Sequence, residues 1–255
     1  MAAPFPSADH VADWLPGGPA EVSGQLALDD ALLAEANDGL LPRPVVRCWA
    51  ADRPTVVVGS SSRIDDEVDR QACATAGVAI LRRPSGGLTV LLGPGCLAWS
   101  VVMPCPAGVP PVEALHRGIL TPLAAMLSAL GPDRRSVELS GSCDLSIAGP
   151  VGRRKVGGNA LRIRRQAVLY HGTLLHGLDL DLLARLLRHP PREPGYRAGR
   201  PHGEFVASLR QPREALEDAV RAAFHARSQR TDWPVAAVDR LVAERYETVA
   251  WTERQ

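Results

Sequence analysis

The sequence predicts an α+β fold in which helices flank a mixed or antiparallel sheet. Short runs rich in Val, Leu and Ile, which are typical of strands, are interleaved with longer stretches of helical periodicity. The two types do not alternate regularly, as they would in a parallel sheet built from βαβ units. In residues 78–103 the apolar runs are separated by only a few Gly, Pro and Ser residues, which favours strands joined by tight turns.

The first half of the chain is predicted to contain two helices and five strands. Residues 24–36 place leucines on one side and acids on the other, which indicates an amphipathic helix. Residues 63–77 form a second helix that ends at a glycine. The strands are predicted at residues 45–50, 55–59, 78–83, 88–92 and 96–103.

The second half is predicted to begin with a helix at residues 111–130. Four strands are expected at residues 137–139, 143–147, 155–163 and 167–176. A short helix with an acidic cap follows at residues 179–188. Residues 190–203 are rich in Pro, Gly and Arg, which indicates a loop or clamp. Helices at residues 212–227 and 235–248 close the chain.

Composition and charge exclude several classes of protein. Hydrophobic residues make up 45% of the chain and charged residues 22%, as in ordinary globular domains. A net charge of +1 provides no long-range field for nucleic acid, so we expect no nucleic-acid partner. Residues 1–14 have no basic residue ahead of an apolar run, so they do not resemble a secretory signal. Glycine and proline at 93–95 interrupt the apolar stretch 88–102, which leaves it too short to span a bilayer. We therefore expect a cytoplasmic protein with no membrane contact.

The five cysteines lack C-x-x-C spacing, so neither a structural zinc site nor a disulfide framework is predicted. Most of them lie in apolar runs, where a free cysteine usually behaves as a small buried residue. Cys143 instead precedes an aspartate. Two interpretations of Cys143 stay open: a buried small residue or a nucleophile.

Lysine usage is unusual, because Lys155 is the single lysine among 29 basic residues. One interpretation is a site that needs a compact ammonium where a planar guanidinium does not fit. The other is that Lys155 is the remainder of a general bias toward arginine.

Three motifs bring together residues suited to binding an anion. Residues 82–90 read R-R-P-S-G-G-L-T-V, in which Arg83 could pair with a phosphate or carboxylate and the glycines allow close approach of a ligand. A plain hairpin turn is the alternative. Residues 152–162 read G-R-R-K-V-G-G-N-A-L-R, and glycines inside a strand suggest that something packs closely there. Residues 169–175 read L-Y-H-G-T-L-L, where His171 alone would be interpreted as a core residue.

The joint order of the motifs is more specific than any one of them. R-R-x-S-G-G, G-x-x-D, R-K-x-x-G-x-A and H-G-T-L-L, taken in this order, resemble the lipoate–protein ligase and octanoyltransferase superfamily over about residues 25–187. The early stretch Q-L-A-L-D-D-A-L-L also resembles the first helix of that family.

The resemblance implies a catalytic domain related to biotin ligases and class II aminoacyl-tRNA synthetases. We expect it to span residues 21–255, with the C-terminal helices of 212–255 packed on it and residues 1–20 forming a flexible segment. In such ligases a lipoate carboxylate attacks the α-phosphate of ATP to give an acyl-adenylate, and a carrier lysine then displaces AMP. The implied ligands are ATP, Mg²⁺ and lipoate or an octanoyl-carrier donor. The implied partners are a lipoyl-domain or H-protein-type carrier and, in some systems, a separate accessory chain.

The resemblance also assigns roles to residues of this chain. Lys155 would contact both the phosphate and the acyl carbonyl, and Asp144 would orient Lys155 or help to hold Mg²⁺. Arg83 and the backbone of residues 88–91 would hold the nucleotide. The wider set of residues implied to bind the substrates is Ser85, Gly86, Gly87, Leu88, Thr89, Val90, Leu91, Gly157, Asn159, His171 and Gly172.

Departures from the family pattern leave three functions open. Leu88 replaces the third glycine of ligases, and Cys143 replaces the asparagine before the motif aspartate. The first function is an ATP-dependent lipoate–protein ligase. The second is an ATP-independent octanoyl or lipoyl transferase that forms a thioester on Cys143, with Lys155 depressing the thiol pKa. The third is a non-catalytic carrier-binding paralogue.

Overall fold

The computed structural model describes residues 11–130 and 136–254 and confirms the predicted α+β class. The strands are β1 (Ala12–Trp14), β2 (Val45–Ala50), β3 (Thr55–Val58), β4 (Ala79–Arg82), β5 (Val90–Leu92), β6 (Cys96–Pro104), β7 (Glu138–Ser140), β8 (Asp144–Gly149), β9 (Gly152–Gly157), β10 (Asn159–Ile163), β11 (Ala167–Leu175) and β12 (Ala226–Gln229). The helices are α1 (Val22–Asn37), α2 (Ile64–Glu67), α3 (Arg70–Thr75), α4 (Val112–Ser128), α5 (Leu180–Leu186), α6 (His202–Phe205), α7 (Arg213–Ala223), α8 (Val235–Leu241) and α9 (Val249–Thr252), with a 3₁₀ turn at Gly195–Arg197 and a π-helical turn at Val242–Tyr246.

A six-stranded mixed sheet in the order β10-β11-β6-β2-β1-β12 forms the centre of the molecule. β1 is parallel to both of its neighbours, and the other pairs are antiparallel. Two three-stranded sheets, β4-β3-β5 and β7-β8-β9, complete the β structure. The small sheets carry the glycine loop and the lysine motif, respectively.

Two hydrophobic cores lie on the two faces of the large sheet. One core packs α1, the β4-β3-β5 sheet and the C-terminal elements against it, with Leu32 and Tyr246 fully buried. The other packs α4 and α7 against it around Trp99, which stacks on Phe224 at 5.5 Å between ring centroids. Burial on both faces explains why β6 and β11 are apolar throughout most of their length.

The two ends of the chain differ from the sequence prediction. Residues 12–14 form β1, buried between β2 and β12, rather than part of a flexible segment 1–20; residues 1–10 of that predicted segment lie outside the described residues. The helix predicted at 212–227 ends at Ala223, because the chain turns at His225 with φ +50° and enters β12. Both strands are short, so their periodicity was too weak to predict them.

Two predicted elements are each divided into two. The helix at 63–77 is interrupted where Val68 pairs with Leu187, and Asp69 then caps α3 through the backbone N–H of Ala72 at 2.8 Å. The strand predicted at 155–163 becomes β9 and β10, which belong to different sheets and are separated by Gly158. This break brings the lysine motif alongside β11.

The C-terminal segment packs on the domain through polar contacts. Tyr246 donates to the buried Asp30 of α1 at 3.2 Å. Trp251 Nε1 donates to the carbonyl of Arg82 at 2.8 Å, and the Arg82 Nε donates to the carbonyl of Thr252 at 2.8 Å. Within residues 11–130 and 136–254, no helix has the length and apolar character needed to cross a membrane.

Candidate active site

A cavity of about 410 Å³ joins the three sequence motifs. Its apolar wall is lined by Leu26, Trp49, Val57, Val90, Leu92 and Ala98. Its polar lining includes Asp29, Arg83, Thr89, Cys143, Asp144, Lys155, Asn159, His171, Thr173, Arg192 and Glu193. The cavity therefore combines apolar surface suited to a hydrocarbon chain with polar groups suited to an anionic head group.

The floor of the cavity is one face of the large sheet. Arg47, Ser100 and His171 lie side by side on β2, β6 and β11 because the three strands are in register. Asp29 of α1 accepts hydrogen bonds from Arg47 at 2.7 Å and from Ser100 at 2.8 Å. This buried ion pair was not predicted from the sequence, and it fixes α1 over the floor.

The glycine loop, residues 84–88, is held from inside by Arg83. The guanidinium donates to Ser85 Oγ and to the carbonyls of Val57, Gly86 and Leu88 at 2.6 to 3.1 Å. Burial lowers the pKa of Arg83 to about 10. Because four of its five N–H groups are engaged, Arg83 braces the loop in this structure. Arg83 also lines the cavity, and its contact with a nucleotide phosphate stays a prediction.

The glycine loop also packs closely on a neighbouring turn. A Cβ at Gly59 would overlap the carbonyl of Gly87, and Ser62 Oγ donates to that same carbonyl at 3.1 Å. Gly87 adopts φ +87°, which favours glycine. The close backbone approach that glycine allows is therefore made here between two turns of the protein. The approach of a ligand to the glycine loop stays a prediction.

Lys155 lies on β9 and is part of the polar lining of the cavity. Its Nζ is 2.7 Å from Asp144 Oδ1, and 30% of the Lys155 side chain is exposed. The strand is held on its other side, since Ala207 N donates to the Lys155 carbonyl at 2.8 Å. Gly158 passes directly beside the ammonium: a Cβ there would lie 2.7 Å from Nζ. The absence of a side chain at Gly158 therefore makes room for Lys155.

Cys143 lines the same cavity, but its thiol is not activated. The Sγ donates to the carbonyl of Asn159 at 3.2 Å, and Asn159 Nδ2 donates back to the carbonyl of Cys143 at 2.7 Å. Burial, with a contribution from Asp144, raises the pKa of the thiol above its usual value, although Lys155 acts in the opposite direction. Lys155 thus acts on the Cys143 pKa in the expected direction, but the expected net depression is wrong, because desolvation outweighs the lysine charge.

His171 and Thr89 are tied into the walls. His171 Nε2 is 2.6 Å from Ser85 Oγ, and burial lowers the pKa of His171 to about 4, so the ring is neutral at pH 7. Thr89 N and Oγ1 both donate to Glu67 at 2.7 Å. The backbone N–H of Thr89, expected to hold the nucleotide, is therefore already engaged.

The structure brings most of the predicted site residues together around the cavity. Four of them lie behind its walls: Ser85, Gly86, Leu91 and Gly157 are absent from the lining. Leu91 pairs with Val56 in the small sheet, and a Cβ at Gly157 would lie 2.5 Å from the Thr173 carbonyl. These two residues shape the site without facing it. Gly172 lines the cavity and packs against Asn159 Oδ1.

Sequence analysis missed the residues that reach the site from the 189–201 loop. Arg192, Glu193 and Pro194 line the cavity, and Tyr196 donates to Asp144 Oδ2 at 2.9 Å. The Pro- and Gly-rich composition indicated a loop, but no periodicity marked its inner side. Tyr196 and Asp144 are 52 residues apart in sequence, so sequence analysis could not predict their contact.

The chain matches a known family over most of its length. Residues 21–226 match the model of the lipoyl protein ligase A/B catalytic domain. An octanoyltransferase LipM from Kyrpidia tusciae is 28% identical over 229 residues, covering 81% of this chain and 83% of that protein. A lipoate-protein ligase A subunit 1 from Thermoplasma acidophilum is 29% identical over 214 residues, covering 81% and 78%.

Solved structures share the fold. A bi-partite lipoate protein ligase from Thermoplasma acidophilum, described with its E2 lipoyl domain, superposes with a TM-score of 0.80 at 23% identity and covers 96% of this chain and 98% of that one. A lipoate-protein ligase A bound with ATP gives a TM-score of 0.74 at 22% identity, covering 96% and 98%.

Proposed function

The chain belongs to the lipoyl protein ligase A/B catalytic domain family, and we propose that it attaches lipoate to a lysine of a carrier protein at the expense of ATP. In the first step the lipoate carboxylate attacks the α-phosphate of ATP, and pyrophosphate leaves. In the second step the carrier amine attacks the acyl carbon of lipoyl-AMP, AMP leaves, and the amine loses a proton as the amide forms.

The position of Lys155 carries this proposal. Its compact ammonium lies in the same cavity as Gly87 and Leu88 of the glycine loop, with Asp144 holding it from one side. A cation there would stabilise the charge that develops on the phosphate and acyl oxygens in both steps. An arginine is wider and needs a planar partner, which explains why the chain's only lysine is found here.

The rest of the cavity supports a medium-length acyl chain. Leu26, Trp49 and Leu92 belong to the apolar wall of the cavity. Burying one methylene of a ligand against such a wall stabilises binding by about 0.8 kcal/mol. An eight-carbon acyl group would therefore gain most of its affinity from this wall and be oriented by the polar lining residues.

The Cys143 environment favours the ligase over the transferase. A thioester mechanism needs a thiolate, whereas the Cys143 thiol is hydrogen-bonded to a carbonyl and has a raised pKa. Two observations keep the transferase as a second candidate: Cys143 lines the cavity, and six relatives from different organisms are named octanoyltransferase LipM.

The residues present do not form a resident Mg²⁺ site. Asp144 uses one oxygen for Lys155 and the other for Tyr196. Among the described residues, no group of three or more His, Cys, Asp or Glu side chains could hold a metal. Mg²⁺ would therefore enter with the ATP phosphates and not at a site formed by the protein alone.

We further propose a lipoyl-domain or H-protein-type carrier as the partner, whose lysine would enter at the cavity mouth beside Arg192 and Glu193. The description of a structural neighbour with its E2 lipoyl domain supports this. A separate accessory chain is supported by a relative named as a ligase subunit. A cytoplasmic location stays a prediction.

The proposal is tested by acylation of a lipoyl-domain carrier, followed by intact mass. The full chain is incubated either with lipoate and Mg-ATP or with an octanoyl-carrier donor and no ATP. The ligase proposal expects the lipoyl mass increase only in the first mixture. Transfer only in the second mixture would establish the transferase instead.

Substitution at Cys143 separates the two candidates independently. We expect Cys143→Ser to retain at least half of the acylation rate, because serine keeps the hydrogen bond to Asn159 and no thioester is required. The matched control is Cys105→Ser, since Cys105 is also a half-buried thiol that donates to a carbonyl, remote from the cavity. Loss of activity in Cys143→Ser alone, with an acyl-thioester on the wild type, would contradict the ligase.

A further inference from the structure

The 189–201 loop is built with more internal order than a simple surface loop. Arg200 donates to the carbonyls of Val151 and Arg153 at 2.8 Å and thereby ties the loop to the hairpin that carries Lys155. It also donates to the carbonyl of Tyr196 at 2.7 Å. The loop and the lysine strand therefore form one hydrogen-bonded unit.

The Tyr196 side chain is fixed on the inner side of this loop. Its ring lies 5.0 Å from the ring of Phe205 between centroids, and a Cβ at Gly141 would lie 3.5 Å from its edge. Burial and the nearby Asp144 raise the pKa of the Tyr196 phenol, so the hydroxyl stays protonated and donates. Tyr196 is absent from the cavity lining.

Asp144 links this hydroxyl to the lysine. One carboxylate oxygen accepts from Tyr196 at 2.9 Å, and the other is 2.7 Å from Lys155 Nζ. Because Asp144 is only 8% exposed, water does little to hold its orientation. Without Tyr196, the carboxylate would be free to rotate about its side-chain bonds, and the ammonium would follow it.

We propose that Tyr196 is a positioning residue that fixes Asp144 and, through it, the ammonium of Lys155. This rests on the proposed function for its effect on rate, but the linkage itself can be measured without activity. The variant is Tyr196→Phe, which keeps the ring packing and removes only the hydroxyl. The matched control is Tyr246→Phe, which removes a hydrogen bond to another buried carboxylate, Asp30, away from the cavity.

The single lysine makes a direct readout available. In protein labelled with ¹⁵N at the lysine ζ-nitrogen, Lys155 gives one side-chain resonance, detected through its ε-methylene protons. We expect Tyr196→Phe to shift this resonance. We also expect carrier-acylation turnover to fall about tenfold while the carrier KM stays unchanged, because one hydrogen bond to a charged group is lost. Tyr246→Phe should change neither quantity.

Each of three results would overturn the proposal. The Lys155 resonance could stay unmoved in Tyr196→Phe, it could shift equally in Tyr246→Phe, or it could shift in Tyr196→Phe without a loss of turnover. A fall in turnover without movement of the resonance would also overturn it, because Tyr196 would then act by another route. If the wild-type chain acylates no carrier with either donor, the proposed function fails. The resonance comparison would still decide whether Tyr196 positions Lys155.

Discussion

Arg83 and Lys155 are cations on two walls of one cavity, and the protein uses them in opposite ways. Arg83 turns its guanidinium into the glycine loop, where three backbone carbonyls and one hydroxyl hold it. Lys155 extends its ammonium into the cavity with a single carboxylate partner. In a chain this rich in arginine, the arginine beside the site braces the backbone, and the lone lysine is the cation to which we assign the chemistry.

The largest effect is expected from Lys155→Arg. Misplacing this cation removes stabilisation that is realised mainly in the transition state, so turnover should fall by about 10²–10³. The melting temperature should change little, because the side chain is partly exposed. Carrier-acylation rates and thermal denaturation measure the two quantities. The control is the reverse change two residues earlier on the same strand, Arg153→Lys, which should keep normal turnover. Near-normal turnover in Lys155→Arg would show that the chemistry does not need an ammonium.

Arg83→Ala should instead act on stability. The substitution leaves buried carbonyls of the glycine loop without a donor, which we expect to cost about 3 kcal/mol in the free energy of unfolding. Denaturant unfolding measures it, with Arg63→Ala as the control, since Arg63 is exposed and pairs only with Asp66. If Arg83→Ala loses nucleotide affinity with no loss of stability, Arg83 contacts phosphate directly and the contrast with Lys155 fails.

The motifs predicted most of the site because its residues lie within three short segments of chain. The glycines at 157 and 158 were interpreted as room for a close neighbour inside one strand. At Gly158 that neighbour is the Lys155 side chain, and the residue separates two strands. The direction of Arg83 could not be predicted, since a guanidinium at a loop edge can face inward or outward. Tyr196 and the Asp29–Arg47 pair depend on tertiary contacts between distant segments.

The neutral His171 makes part of the stability depend on pH. Its folded pKa of about 4 lies below the usual value of 6.5, so the unfolded chain binds the proton more readily as pH falls from 6.5 toward 4. The free energy of unfolding should therefore decrease over this window, by about 3 kcal/mol from this residue. His171→Gln should flatten that part of the pH profile, whereas exposed His189→Gln should not. If the pH profiles of His171→Gln and wild type run parallel, the loss of stability between pH 6.5 and 4 comes from protonation of another residue.

A smaller effect is expected from Gly158→Ala. The added methyl would meet the flexible end of Lys155, so the fold should survive while the ammonium is displaced and turnover falls about tenfold. Gly203→Ala is the control, because nothing lies within 4 Å of its Cβ. Equal turnover in the two variants would indicate that the ammonium position tolerates movement.

Lipoate-dependent exchange of pyrophosphate into ATP tests the central claim most directly, because it isolates adenylate formation from carrier recognition. Wild-type chain and Cys143→Ser should both catalyse exchange, and Lys155→Arg should lose it by about 10²–10³. Absence of exchange in the wild type, together with octanoyl transfer that requires Cys143, would contradict the account.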